Sequence, residues 1–100
     1  MNTVSAAQMI VQCESTAKTL KLLAHPKRLQ LLCVLSAGEK SVSELEVLCE
    51  TSQSQLSQFL QRMRSEGLVA ARREGKFVVY RIGDPKVEKL IKALHKIFCP

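Results

Sequence analysis

A chain of 100 residues with 15 Lys+Arg against 9 Asp+Glu carries a formal charge of +6 and has room for one core. Apolar residues at 46% are too many for a disordered segment, and aromatics at 4% with no Trp are too few for base-stacking RNA platforms. No apolar run exceeds five residues (Leu31 to Leu35), and Met1 to Ala7 lacks the basic start and apolar stretch of a signal peptide; the expectation is a cytoplasmic protein with no membrane partner.

Val4 to Leu23 reads as a helix, with Ala7, Ile10, Val11, Ala17, Leu20 and Leu23 spaced mostly by threes and fours. His25-Pro26 interrupts it, since Pro suits only a first turn. A second helix runs from about Pro26 to Ser36 with Leu29, Leu32 and Cys33 along one face, and Gly38 stops it. Ser43-Glu44-Leu45-Glu46 has the capping-box form and opens a short third helix ending near Glu50. Thr51-Ser52 caps a fourth helix, roughly Gln53 to Ser65, closed by Gly67. The pattern then turns β-prone: Leu68 to Arg73 and Lys76 to Ile82 form a hairpin joined at Glu74-Gly75. Asp84-Pro85 caps a last helix whose stripe is Val87, Leu90, Ile91, Leu94 and Phe98. The predicted class is mainly α (α+β): one domain over residues 1–100, with four helices, a hairpin and a fifth helix.

That order is a winged helix-turn-helix, with a recognition helix at about 53–65 and a wing at about 68–82. Residues 1–59 hold five basic and five acidic groups, whereas 60–100 hold ten basic and four acidic ones, so the whole excess lies beside the proposed reading elements. Such a one-sided footprint suits double-stranded DNA, because Lys and Arg displace counterions from phosphates. With Leu56, Phe59, Leu60 and Met63 turned inward, Ser54, Gln55, Ser57, Gln58 and Gln61 face out as candidate base-reading groups, preceded by Ser52. Arg62, Arg72, Arg73 and Lys76 are candidate phosphate contacts.

Leu22-Leu23-Ala24-His25-Pro26-Lys27-Arg28-Leu29, Ser52 to Leu60, Glu66-Gly67-Leu68-Val69 and the hairpin through Tyr80 together resemble the ArsR/SmtB family of bacterial winged-helix repressors. The resemblance implies a homodimer packed through the first and last helices, reading a pseudo-palindromic operator with half-sites about 34–36 Å apart. Phe59 departs from it, standing where relatives commonly carry His, and is assigned to packing.

Many relatives sense metal through cysteines early in the third helix, where this chain has Ser41, Ser43 and Glu46; others use Asp and several His on the last helix, where Asp84 is followed by Lys86, His95 and Ile97. Zinc needs about four placed ligands, so no metal or cofactor is expected. A shared site from Cys13, Cys99 and partner-chain groups stays open, as does a metal-responsive repressor or a winged-helix protein-interaction module. Neither His25 nor His95 lies in a nucleophile motif, so the chain is not expected to be an enzyme.

Leu-Cys at Cys33 and Phe-Cys at Cys99 resemble the sulfide-responsive branch of the family (the SqrR, BigR, YgaV and HlyU type). That resemblance implies that Cys33 and Cys99 are the sensing thiols and low-molecular-weight persulfides the inducers. A persulfide-derived disulfide or polysulfide between them would release the operator. Cys49 reads as packing or a bystander, and Cys13 belongs to no motif.

Overall fold

The computed structural model describes residues 5–99. In chain order they form α1 (Ala6–Leu23), α2 (Pro26–Ser36), β1 (Lys40–Ser41), α3 (Val42–Cys49), α4 (Gln53–Ser65), β2 (Val69–Glu74), β3 (Phe77–Ile82) and α5 (Pro85–Phe98). All five helices and the hairpin stand within a residue or two of their expected places; Val4, assigned to the first helix, lies outside the described residues.

Side chains at the helix starts set the boundaries. Ser5 and Gln8 form a capping box on α1: the Gln8 N–H donates to Ser5 Oγ at 3.2 Å and the Ser5 N–H to Gln8 Oε1 at 3.0 Å. His25 caps α2, its Nδ1 accepting from the Lys27 N–H at 3.2 Å with Pro26 in the first turn. Asp84 does the same for α5. Each satisfies a donor that the helix itself cannot.

Three expectations are corrected. The sheet has three strands in the order β1-β3-β2, all antiparallel, with Lys40 opposite Tyr80 and Ser41 opposite Val79. A two-residue strand has no alternation to betray it. The capping box of α3 is Ser41 with Glu44 rather than Ser43 with Glu46. Ser41 ends β1 in extended backbone, as a cap must, whereas Ser43 already lies inside the first turn. The hairpin joint falls one residue later, since Glu74 pairs with Phe77 across a Gly75-Lys76 loop. Gly75 supplies the positive φ, 62°, that the first loop position of a tight hairpin requires.

The core joins Leu31, Leu32 and Leu35 of α2 to Leu45, Leu56, Leu60, Met63, Val87 and Ile91. Leu29 and Cys33 of α2 are only half-buried against it, so the buried face of that helix is centred on Leu31 and Leu32 instead. The expected α1 stripe and the end of the α5 stripe lack partners within the protomer. Along α1 only Leu23 is buried, while Met9, Ile10, Val11 and Leu20 are exposed. At the end of α5, Phe98 is 75% exposed and Ile97 67%. No described helix is long and apolar enough to cross a membrane.

Candidate DNA interface and thiol pair

The turn between α3 and α4 is built from backbone and buried polar groups. Glu50 takes a left-handed conformation, φ 46°, and ends α3. Thr51 is buried and its Oγ1 donates to the Cys49 carbonyl at 2.9 Å; Lys27 Nζ donates to the same oxygen at 3.3 Å. Cys49 is itself buried, a packing residue whose thiol burial pushes above the ordinary thiol range. Ser52 then caps α4 by accepting from the Gln55 N–H at 3.4 Å, so its hydroxyl serves the helix start.

On α4, Leu56, Leu60 and Met63 are buried and Phe59 is half-buried, as expected. The Phe59 ring packs on His25 with centroids 5.2 Å apart. Ser54, Gln55, Gln58, Gln61 and Arg62 are exposed, and Ser57 is half-buried. This face carries neutral donors and acceptors, then an arginine, and no acid. It matches what reading base edges beside a phosphate requires.

Arg73 and Lys76 are exposed on the wing and carry no ion pair among the described residues. Arg72 differs. Its Nη2 bonds Glu39 and its Nη1 lies 2.9 Å from Glu74 Oε2. The hydrogen bond from Arg72 is the main reason the Glu39 carboxyl sits below the usual carboxylate range. Arg72 thus ties the wing to the residue before β1, and its charge is offset locally. Composition had counted it with Arg73, because Glu39 lies 33 residues away in sequence. Sequence reasoning also passed over Phe77. This side chain is exposed and stands beside Lys76 where the wing meets Val42, Glu46 and Gln53.

The two candidate sensing thiols come from elements that pack together, α2 and α5. Cys33 is half-buried in α2; Cys99 is exposed at the end of α5, its N–H bonded to His95 O at 2.8 Å. The Cys33 thiol is pushed up first by burial and then by the charge of Cys99. Both are free. Cys13 is exposed on α1. Among the described residues no three His, Cys, Asp or Glu side chains group as a metal site would.

A helix-turn-helix with a basic wing defines a DNA-binding domain. The model of the bacterial regulatory protein, arsR family, matches residues 25–71. The chain is 50% identical over 80 residues to the biofilm growth-associated repressor of Agrobacterium fabrum, covering 80% of this chain and 68% of that one. It is 44% identical over 80 residues to the transcriptional activator HlyU of Vibrio cholerae, covering 80% and 74%. The structure of reduced HlyU from that organism superposes with a TM-score of 0.85 at 39% identity, covering 92% and 97%. The transcriptional repressor BigR from Xylella fastidiosa does so with a TM-score of 0.85 at 41% identity, covering 95% and 94%. The chain belongs to the ArsR family, and it is a DNA-binding transcriptional regulator of the BigR and HlyU type.

Proposed function

We propose that this single-domain regulator is a dithiol-switched repressor acting by binding rather than catalysis. As a reduced cytoplasmic homodimer it holds a palindromic operator, and it releases the operator when Cys33 and Cys99 are bridged by sulfur from a low-molecular-weight persulfide. The dimer is supported by the unpartnered apolar stripes of α1 and of the α5 end, surfaces that a monomer leaves in water. Base reading falls to Ser54, Gln55, Ser57, Gln58 and Gln61, and phosphate contact to Arg62, Arg73 and Lys76. Ser52 holds the helix start, and Arg72 fixes the wing.

The observation that carries the switch is the packing of α2 against α5, which brings together the elements bearing two cysteines 66 residues apart in sequence. Their inequality assigns the order of attack. Cys99 is exposed, whereas Cys33 is half-buried and has its thiol pushed up, so Cys99 is the first nucleophile. The Cys99 thiolate takes the outer sulfur of RSSH and expels RS⁻, giving Cys99–S–SH. The Cys33 thiolate then attacks the Cys99 sulfur and expels hydrosulfide, leaving a disulfide. In a second route the Cys99 persulfide first takes a second outer sulfur from another RSSH, expelling RS⁻. The Cys33 thiolate then attacks the middle sulfur of Cys99–S–S–SH, expels hydrosulfide and leaves one inserted sulfur in the bridge. The persulfide sulfur is the oxidant in both routes. Inserted sulfur relaxes the 4.4–6.8 Å that a direct disulfide demands between Cα atoms. Tying α2 to α5 biases the dimer toward a poor-binding geometry; a coupling of about 1–3 kcal/mol lowers affinity roughly 5–150-fold.

The test is operator binding with and without glutathione persulfide, with intact mass read in parallel. Cys33→Ser and Cys99→Ser should each bind normally when reduced and fail to release. Persulfide-driven release by either variant overturns the two-thiol bridge.

A further inference from the structure

Lys18 and Lys21 of α1 stand with Arg62 of α4 around a groove of about 460 Å³ that Leu22, Arg28 and Glu66 complete. Its one carboxylate is already engaged, because Glu66 pairs with the buried Arg28 at 3.1 Å. Lys18, Lys21 and Arg62 have no ion pair among the described residues, which leaves the groove three positive charges in excess. Like charges gathered on a concave surface repel one another, and the concavity focuses their field outward. The arrangement suits a strongly anionic ligand.

The neighbouring surface identifies that ligand. Arg28 and Arg62 also line a second cleft, shared with His25, Gln58 and Phe59, so the groove continues onto the outward face of α4. Gln58, a base-reading candidate, lies four residues, about 6 Å of rise, before Arg62 on that helix. The phosphate row bordering a major groove read by Gln58 therefore passes beside Arg62. Lys18 lies about 200° around α1 from Leu20, so those two side chains point to opposite sides of the helix.

We infer that Lys18, Lys21 and Arg62 form a phosphate clamp for the operator backbone outside the bases read by α4, making α1 a DNA-contacting helix. Composition concealed this, because Lys18 and Lys21 belong to residues 1–59, which carry no net charge. The clamp rests on the DNA-binding assignment but on none of the thiol chemistry.

The experiment uses reduced full-length protein and the double variant Lys18→Gln/Lys21→Gln, titrated against operator and random duplex over a range of salt. A dimer losing one phosphate contact per protomer should lower the slope of log K against log salt by about 1.8 and weaken both duplexes alike. Ethylation of the flanking phosphate should hinder the wild-type protein more than the variant, which keeps only Arg62 there. An unchanged slope with unchanged ethylation interference overturns the clamp. A wild-type protein that binds neither duplex would instead remove the DNA assignment itself.

Discussion

Arg28, near the start of α2, reaches Glu66, the residue that ends α4, with Nη1 at 3.1 Å from Oε1, while the same Nη1 donates to the Leu22 carbonyl at 3.2 Å. One guanidinium therefore joins the end of α1, the helix carrying Cys33 and the end of the recognition helix. Glu66 Oε1 is buried and has no aligned hydrogen bond, so its charge depends on Arg28. Breaking such a pair from one side is costlier than removing both partners, because the survivor keeps its desolvation penalty.

Arg28→Met should accordingly destabilise the fold by about 3 kcal/mol, at the low end for a buried pair because Glu66 retains some exposure. Adding Glu66→Gln should recover part of that loss, a non-additivity expected of partners in contact. Urea unfolding at one fixed protomer concentration measures both. Additive losses would show that the two side chains do not depend on each other.

The wing arginines should separate in the same salt titration. Arg73 has no ion pair among the described residues, so Arg73→Ala should weaken operator and random DNA equally and lower the salt slope by about 0.9 per protomer. Arg72 is already occupied by Glu39 and Glu74. Glu39→Gln should relax that hold and steepen the slope. A Glu39→Gln protein with the wild-type slope would mean that Arg72 never leaves its clamp to meet DNA.

Gln55→Ala and Gln58→Ala act on a different quantity. Both side chains are exposed on the reading face of α4 and carry no charge, so the salt slope should stay constant while the ratio of operator to random affinity falls. A lost bidentate contact corresponds to about 1–3 kcal/mol of discrimination. Equal losses on both duplexes would remove these glutamines from base reading.

Features encoded locally were legible before the fold was known. Thr51-Ser52, Gly67 and Asp84-Pro85 are boundary signals that act within one turn, and the helices begin and end at them. β1 was not legible, because Lys40-Ser41 becomes a strand only through pairing with β3, some 40 residues on. The missed strand also displaced the α3 capping box, since Ser41 is a good cap only as the end of extended backbone. The offset charge of Arg72 and the clustering of Lys18 and Lys21 with Arg62 are likewise products of tertiary contact. The α1 stripe was read correctly as apolar but has no partner within its own chain, and periodicity alone does not say whose core a stripe joins.

That stripe makes the dimer testable. Leu20→Asp or Phe98→Asp puts a charge into surface that the proposed interface buries, yet both residues are exposed in the protomer. Each should therefore give a folded, monomeric protein with weak operator binding, since two half-sites are no longer engaged together. Light scattering and circular dichroism separate assembly from folding. A dimer of wild-type strength from both variants would place the interface elsewhere.

The reactivity of Cys33 should report on its neighbour. Burial and the Cys99 charge both hold the Cys33 proton on, burial being the larger cause. Only the thiolate reacts, so alkylation of Cys33 by iodoacetamide should be slow at neutral pH. It should then rise about tenfold per pH unit and keep rising past the ordinary thiol value. Replacing Cys99 by Ser removes one of the two causes and leaves burial in place. In Cys99→Ser the Cys33 profile should move toward lower pH without reaching that of a free thiol, whereas Cys13→Ser should leave it unmoved. Peptide mass spectrometry after timed pulses reads each cysteine separately. A Cys33 profile indifferent to Cys99 would mean that the sulfurs do not sense each other, and the α2–α5 bridge would lose its physical basis.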